Sequence, residues 1–455
     1  VTVDRSRLPD AGPARPFTFP TIVKSTLANG LRVWSVRHTD VPVLALMLLV
    51  RRGAAGDPQG KEGLAAMTAD MLDEGSGDRS AIDVHEALAG IGAQFDTDIG
   101  SDATLVSLTT LSRAADRGLM LLADIVARPS LTETDFARVR QLRLHRLTQL
   151  RDNPGAVAER TFIKLLYGPH PYGHTPMGNE HALAAMTVDD VRGFHATAIR
   201  PSVSTLVAVG ACEHAHIEHL ARDAFLGWDG ESGDDAGAGG GVPSARTARL
   251  NVVPRPGAPQ SELRIGHVAA PRHIPEYHAL VAGNMVLGGQ FVSRINLNLR
   301  EDKGFTYGAR TAFDFRRMPG PFALQVSVET KATARAITES IGEIAAIRGP
   351  RPITDEELAL GVAALTRGYA RNFETAEQVA RAVMQLALYD LPDDYFADFV
   401  PRVERVTAEE ATRVMALYTD PDRLTTLIVG DLDAIGHDLG SLNLGDAVVL
   451  SADTF

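Results

Sequence analysis

The sequence predicts an α+β protein made of two homologous halves, each with helices packed on a sheet. Three observations carry this. First, a pattern repeats: M-T-V-D-D-V-R from Met186, then Pro201 and T-L-V-A-V-G ending at Gly210, has its counterpart in V-T-A-E-E-A-T-R from Val406, then Pro421 and T-L-I-V-G ending at Gly430. Thr187 and Thr407, Pro201 and Pro421, and Gly210 and Gly430 stand at one common offset of 220 residues, which chance does not readily produce. Second, strand-like and helix-like periodicities alternate within each half. Third, D-G-E-S-G-D-D-A-G-A-G-G-G-V-P-S from Asp229 has a composition that cannot bury apolar surface and reads as a linker.

In chain order, residues 1–22 read as a polar, proline-rich arm, 23–228 as the first α+β domain, 229–246 as the linker and 247–455 as the second domain. The opening VTVDRSRLPDAGPARPFTFP lacks the charged-then-apolar pattern of a secretory signal. The compartment is read as cytoplasmic, or periplasmic if a signal was removed. L-R-V-W-S-V and the apolar run Val41 to Val50 read as strands; that run falls far short of the ~20 residues of a spanning helix. Leu119 to Val126 reads as a helix face and S-T-L-V-A-V-G as a buried strand. R-P-S-L-T-E-T-D-F at Arg128 echoes R-P-I-T-D-E-E-L at Arg351, and in each a threonine followed by acidic residues suits a helix N-terminus.

The chain of 455 residues is long enough for several domains, and 45% apolar residues is ordinary for a globular protein. A net charge of −12, with Lys and Arg scattered singly, speaks against nucleic acid as a partner. The single cysteine, Cys212, excludes an intrachain disulfide and a thiolate metal cluster. C-E-H-A-H-I-E-H-L at Cys212 is rich in possible ligands, and His216 and His219 share a helix face. Ala215 stands where an H-x-x-E-H pattern ending at His219 needs a histidine, so the segment reads as an exposed helix start with Glu213 at its positive end.

Two further stretches carry chemistry. G-D-P-Q-G-K-E-G-L-A-A-M-T-A-D-M-L-D-E-G-S from Gly56 resembles the segment in which pitrilysin, insulinase and mitochondrial processing peptidases carry H-x-x-E-H. There two histidines four apart on a helix face one zinc ion, and the glutamate between them acts as general base. The matching positions here are Ala66, Ala69 and Asp70. The family's third ligand, a glutamate about 76 residues beyond the second histidine, aligns with Arg146. A methyl group neither binds zinc nor takes a proton, and a guanidinium repels a cation. Apart from this resemblance, Ala65 to Leu72 reads simply as an amphipathic helix.

The second stretch, M-V-L-G-G-Q-F-V-S-R-I-N-L-N-L-R-E-D-K-G-F-T-Y-G-A-R from Met285, is similar to the family's L-G-G-x-x-x-S-R-L-x-x-x-L-R-E-x-x-G-x-x-Y element. It places Arg300 and Tyr307 at the positions of an arginine/tyrosine pair that in active relatives binds substrate opposite zinc. Both are donors suited to a peptide carbonyl gaining negative charge. Without the family, Arg300 capping a helix end and Tyr307 filling a strand face is the commoner fate. Gly288 and Gly289, ahead of the helix carrying Ser293 and Arg294, read either as exposed backbone donors or as a tight turn. No phosphate-loop pattern accompanies them. In G-P-H-P-Y-G-H-T-P-M-G at Gly168, also family-like, His170 and His174 read as loop structure.

The resemblance implies two related domains, each a sandwich of helices on a mixed, mainly antiparallel sheet. It also implies a pair of subunits closing around a peptide chamber. The expected role is a non-catalytic subunit of a zinc metallopeptidase, with no cofactor of its own and zinc only in a family-related partner (a heterodimer). The alternative is an inactive structural or peptide-binding homodimer. Peptide is the expected ligand of Arg300, Tyr307, Gly288 and Gly289. A hydrolase using other residues has little support, since no G-x-S-x-G elbow is present.

Overall fold

The computed structural model describes residues 17–230 and 249–451. Most of the expected linker, and residues 1–16 of the expected arm, lie outside the described residues. The six strands of the first sheet are β1 (Ile22–Thr26), β2 (Arg32–Arg37), β3 (Val43–Val50), β4 (Gln94–Ile99), β5 (Thr104–Leu111) and β6 (Ser204–Gly210). The second sheet contains β7 (Leu250–Pro254), β8 (Gln260–Val268), β9 (Ala309–Phe313), β10 (Pro321–Glu329), β11 (Thr425–Gly430) and β12 (Val448–Val449). Their spatial orders, β1-β2-β6-β3-β5-β4 and β12-β7-β11-β8-β10-β9, correspond at five of six positions; the edge strands differ, β1 opening its half antiparallel to β2 and β12 closing its half parallel to β7. Each sheet is mixed and mainly antiparallel; the parallel pairs are β2 with β6 in the first, and β7 with both β11 and β12 in the second. The expected fold, two homologous α+β halves, is the one observed.

The helices that matter for the site are α1 (Leu64–Asp70), α2 (Ala115–Ala127), α3 (Glu133–Arg151), α4 (Pro154–Tyr167), α5 (Val188–Ala198) and α6 (His214–Ala224) in the first half. The second half supplies α7 (Tyr277–Asn284), α8 (Thr333–Ile347), α9 (Asp355–Thr366), α10 (Ala376–Tyr389) and α11 (Ala408–Tyr418). The repeated threonines perform one task. The hydroxyl oxygens of Thr132, Thr187, Thr354 and Thr407 each accept a hydrogen bond from the backbone N–H three residues on, capping α3, α5, α9 and α11. Pro201 and Pro421 each open a short 3-10 turn before the paired strands β6 and β11.

The unbroken apolar run in β3 follows from burial of both sheet faces. Leu44, Leu46, Leu48 and Val50 point to the side covered by α2 and α6. Ala45, Met47 and Leu49 point to the other side, where α10 from the second half lies. The second sheet repeats this: Leu263 and Ile265 of β8 face the core with α7 and α8, whereas Val253, Leu427 and Val429 meet Val157, Phe162 and Tyr167 of α4 from the first half. The halves therefore exchange helices, α4 onto the second sheet and α10 onto the first. The loop between β9 and β10 fastens the exchange: Asp102 accepts from the Arg317 N–H at 2.8 Å, and the Tyr167 hydroxyl donates to the Pro319 carbonyl at 2.9 Å. The end of the expected arm is not free, since Phe17 stacks on Phe373 and Phe19 is buried in the same cluster. No helix among the described residues is long and apolar enough to cross a membrane.

Candidate functional site

Helix α1 is the element on which a zinc motif would lie. Its N-terminus is held by Asp57, fully buried, whose carboxylate accepts from the Gly63 and Ala65 N–H groups, both at 2.7 Å. The His174 ring stands 3.0 Å from the same carboxylate and 3.0 Å from the Ala54 carbonyl, while His170 Nδ1 accepts from the Tyr172 N–H. Both histidines are loop structure. Gly63 has φ +100° and Gly178 φ +72°, and a Cβ on Gly178 would lie 2.1 Å from the Glu62 carbonyl oxygen. The two loops cross at a distance that only glycine allows.

Beyond that staple, Ala66, at the position of the first histidine, and Ala69, at that of the glutamate base, are both buried. Asp70 is ion-paired with Arg143 of α3 at 2.5 Å, and the same buried guanidinium donates to the carbonyls of Pro176 and Met177 at 3.0 and 3.3 Å. Arg146, singled out by spacing, is exposed at the rim of the cleft, one helical turn further on. The cleft, about 380 Å³, also receives Asp73, Glu74 and Asp96. Burial, with the charges of Glu74 and Asp70 adding to it, pushes the Asp73 carboxyl up. Among the described residues no three His, Cys, Asp or Glu side chains converge as a metal ion requires. Two methyls and a guanidinium with one committed carboxylate are a donor set that does not fit zinc.

The histidines of α6 diverge as well. His214 meets the Ser35 hydroxyl at 2.8 Å, His216 approaches Asp116 at 3.2 Å and His219 approaches Asp223 at 3.5 Å. The helix starts at His214 with Glu213 as its N-cap, as an exposed helix start should.

The element from Met285 is built differently from its sequence reading. Gly288 and Gly289 close a π-helical turn, Met285–Gly289, continuous with α7, rather than standing free ahead of a helix. Gly288 is buried, and a Cβ there would lie 2.5 Å from Thr311 Oγ1 on β9, so its smallness serves packing. After a turn at Gln290–Ser293, the short helix Arg294–Asn296 passes into a second π-helical turn, Leu297–Asp302, which carries Arg300. Such turns are uncommon and recur at functional sites.

Three side chains pin this element. Buried Arg294 donates to both Glu357 carboxylate oxygens at 2.7 Å and to the carbonyls of Arg351 and Pro352 at 2.6 and 2.9 Å. Those bonds hold the Glu357 carboxyl down to about 2. Asn296 donates to the Ala309 carbonyl at 2.7 Å and accepts from its N–H at 2.9 Å, fixing the far end of the loop that bears Tyr307. Asn298 donates to Glu339 and Glu343, both at 2.9 Å.

On this support Tyr307 is 95% exposed, in a bend two residues before β9, and fills no strand face. Arg300 does not lie open beside it. Its guanidinium sits 3.3 Å from the ring centroid of Phe291, pairs with Glu301 at 2.7 Å, and keeps Nη1 buried without a partner. Phe291 is itself 71% exposed, with Val292 and Leu297 also exposed around it. Arg143 and Phe291 escaped sequence reasoning. The signal for Arg143 was its i, i+3 relation to Arg146 on one helix face; Phe291 had none.

Two family models match the chain. The one described as "Insulinase (Peptidase family M16)" covers residues 32–179, and the one described as "Peptidase M16 inactive domain" covers 185–365. The chain belongs to the insulinase, or M16, family of peptidases. Among its relatives, an uncharacterized zinc protease of Mycobacterium bovis is 23% identical over 90% of this chain and 93% of its own. An uncharacterized zinc protease of Bacillus subtilis is 22% identical over 63% of this chain and 68% of its own. A crystal structure of a peptidase M16 inactive domain from Pseudomonas fluorescens superposes with a TM-score of 0.83 at 24% identity, covering 90% of this chain and 98% of that one. A protease from Helicobacter pylori gives 0.81 at 20% identity, covering 90% and 99%. These two likenesses show the fold.

Proposed function

We propose that this chain is a non-catalytic, peptide-binding subunit of a zinc metallopeptidase, presenting Arg300 and Tyr307 to a peptide held at the metal site of a family-related partner. The observation that carries this reading is Tyr307. A tyrosine almost wholly in solvent, on a loop anchored at both ends by buried polar side chains, is rigid without serving its own fold. Bond cleavage belongs to the partner's metal centre. The Tyr307 hydroxyl would donate to the peptide carbonyl, and Arg300, with an unused donor at Nη1, would add a positive charge beside it. The zinc positions of α1 support the same division of labour.

Co-expression with a relative carrying intact H-x-x-E-H tests it. Tyr307→Phe should leave assembly and stability unchanged and lower peptide turnover by about 10²-fold, the scale of one lost oxyanion donor; unchanged turnover refutes the role. One observation favours the inactive homodimer instead: Arg300 is partly satisfied by Glu301 and Phe291, with exposed apolar side chains around it. A purified chain that is dimeric alone and captures no zinc-bearing relative would decide for that reading.

A further inference from the structure

A second cavity, about 400 Å³, lies between α4, the end of α3 and the Gly173–Gly178 loop, away from the Arg300 element. Arg160 and Lys164, four apart on α4, share one helix face and line it, and Arg151 lines it from α3. Like charges so placed repel unless something neutralises them. Of the two carboxylates present, one neutralises Arg151 and neither reaches Arg160 or Lys164. Glu180 pairs with Arg151, and Glu62 accepts from the Asn179 amide at 3.1 Å and from the Gly60 N–H at 3.0 Å.

Among the described residues Arg160 and Lys164 form no ion pair; Arg160 donates from Nη2 to the Gly178 carbonyl at 2.8 Å, and its Nη1 is buried with no partner at all. Burial, and then the charge of Arg151, make this guanidinium a weaker base than usual. Other guanidinium nitrogens among the described residues, Arg143 Nε and Arg300 Nη1 among them, are also buried without a partner, but Arg160 is the one that, itself without an ion pair, shares a cavity with a second unpaired cation, Lys164. We infer that this cavity is a binding site for a small oxyanion, held by the free donors of Arg160 and by the ammonium of Lys164. A planar guanidinium fork beside a point charge suits a phosphoryl or carboxylate group equally, whether as a free ion or as the end of a larger ligand. Nothing in this rests on the peptidase reading.

Calorimetric titration of the whole chain with inorganic phosphate, and in parallel with acetate, in chloride buffer of fixed ionic strength tests the site. The expected result is saturable binding at one site of at least one of the two anions, the stronger identifying the phosphoryl or carboxylate class. Arg160→Gln should weaken it at least about tenfold, the scale of one hydrogen bond to a charged group. Lys164→Gln, an exposed change that leaves the fold alone, should weaken it about twofold to fivefold. Silence towards both anions, or equal affinity in the parent and both variants, overturns the assignment.

Discussion

The cleft under α1 and the turn carrying Arg300 lie in different halves of the chain and use their polar groups in opposite ways. Under α1 the polar groups are closed on each other: Asp70 meets Arg143, and Ala66 and Ala69 beside it are methyl groups under cover. Around Arg300, Tyr307 stands exposed, and the polar groups beneath it are Arg294, Asn296 and Asn298. A guanidinium is present in both places, but under α1 it is bonded to a carboxylate and two carbonyls, whereas at Arg300 it keeps a buried donor without a partner. The contrast separates two uses of polar side chains: in one place they close on each other and fix a helix, in the other they hold an exposed side chain away from the fold.

The largest test falls on the support of the retained side. Arg294→Met should cost about 3 kcal/mol in chemical unfolding, because it strands Glu357 and two carbonyls. The Glu357 carboxyl titrates near 2 in the folded chain, below its unfolded range, so its contribution is present above about pH 5 and fades as pH falls towards 2. That acid-dependent component should shrink in the variant to the part that the Thr354 N–H and hydroxyl sustain; if it is unchanged, Arg294 is not the anchor. Next comes the closed side: Arg143→Gln should cost about 2 kcal/mol, since Asp70 is only partly buried, whereas Arg146→Gln should stay within about 0.5 kcal/mol. The reverse ranking would break the contrast, because it would make the rim residue the structural one. The smallest effect is at Phe291. Its replacement by Ala should cost about 0.5–1 kcal/mol, the scale of one cation–π contact. It should also speed modification of Arg300 by phenylglyoxal, followed by peptide mass mapping; an unchanged rate means that Phe291 does not shield the guanidinium.

Much of this was legible because it was local. Thr187 and Thr407 announce their helices through the acidic residues that follow, and the burial of β3 on both faces is written into eight consecutive apolar side chains. What could not be read depends on partners distant in the chain. Arg143 finds Asp70 across 73 positions, and the spacing that singled out Arg146 does not say which arginine of α3 turns inward. The glycines of Met285–Gly289 read either as exposed donors or as a tight turn because a π-helical turn leaves no signature in composition, and Gly288 answers to Thr311 on another element. The crossing of α4 and α10 between the halves was invisible for the same reason: each reads as an ordinary amphipathic helix whichever sheet it covers.

That crossing has a consequence for the chain as it leaves the ribosome. Helix α4 ends at Tyr167, but β11, one of the strands it covers, is complete only at Gly430. At about 5–20 residues per second, the aromatic face of α4 waits roughly 15–50 s for its sheet. Until then the first half carries an open flank. Once assembled, the two halves would stay together after a cut in the segment between them, because each holds a helix of the other.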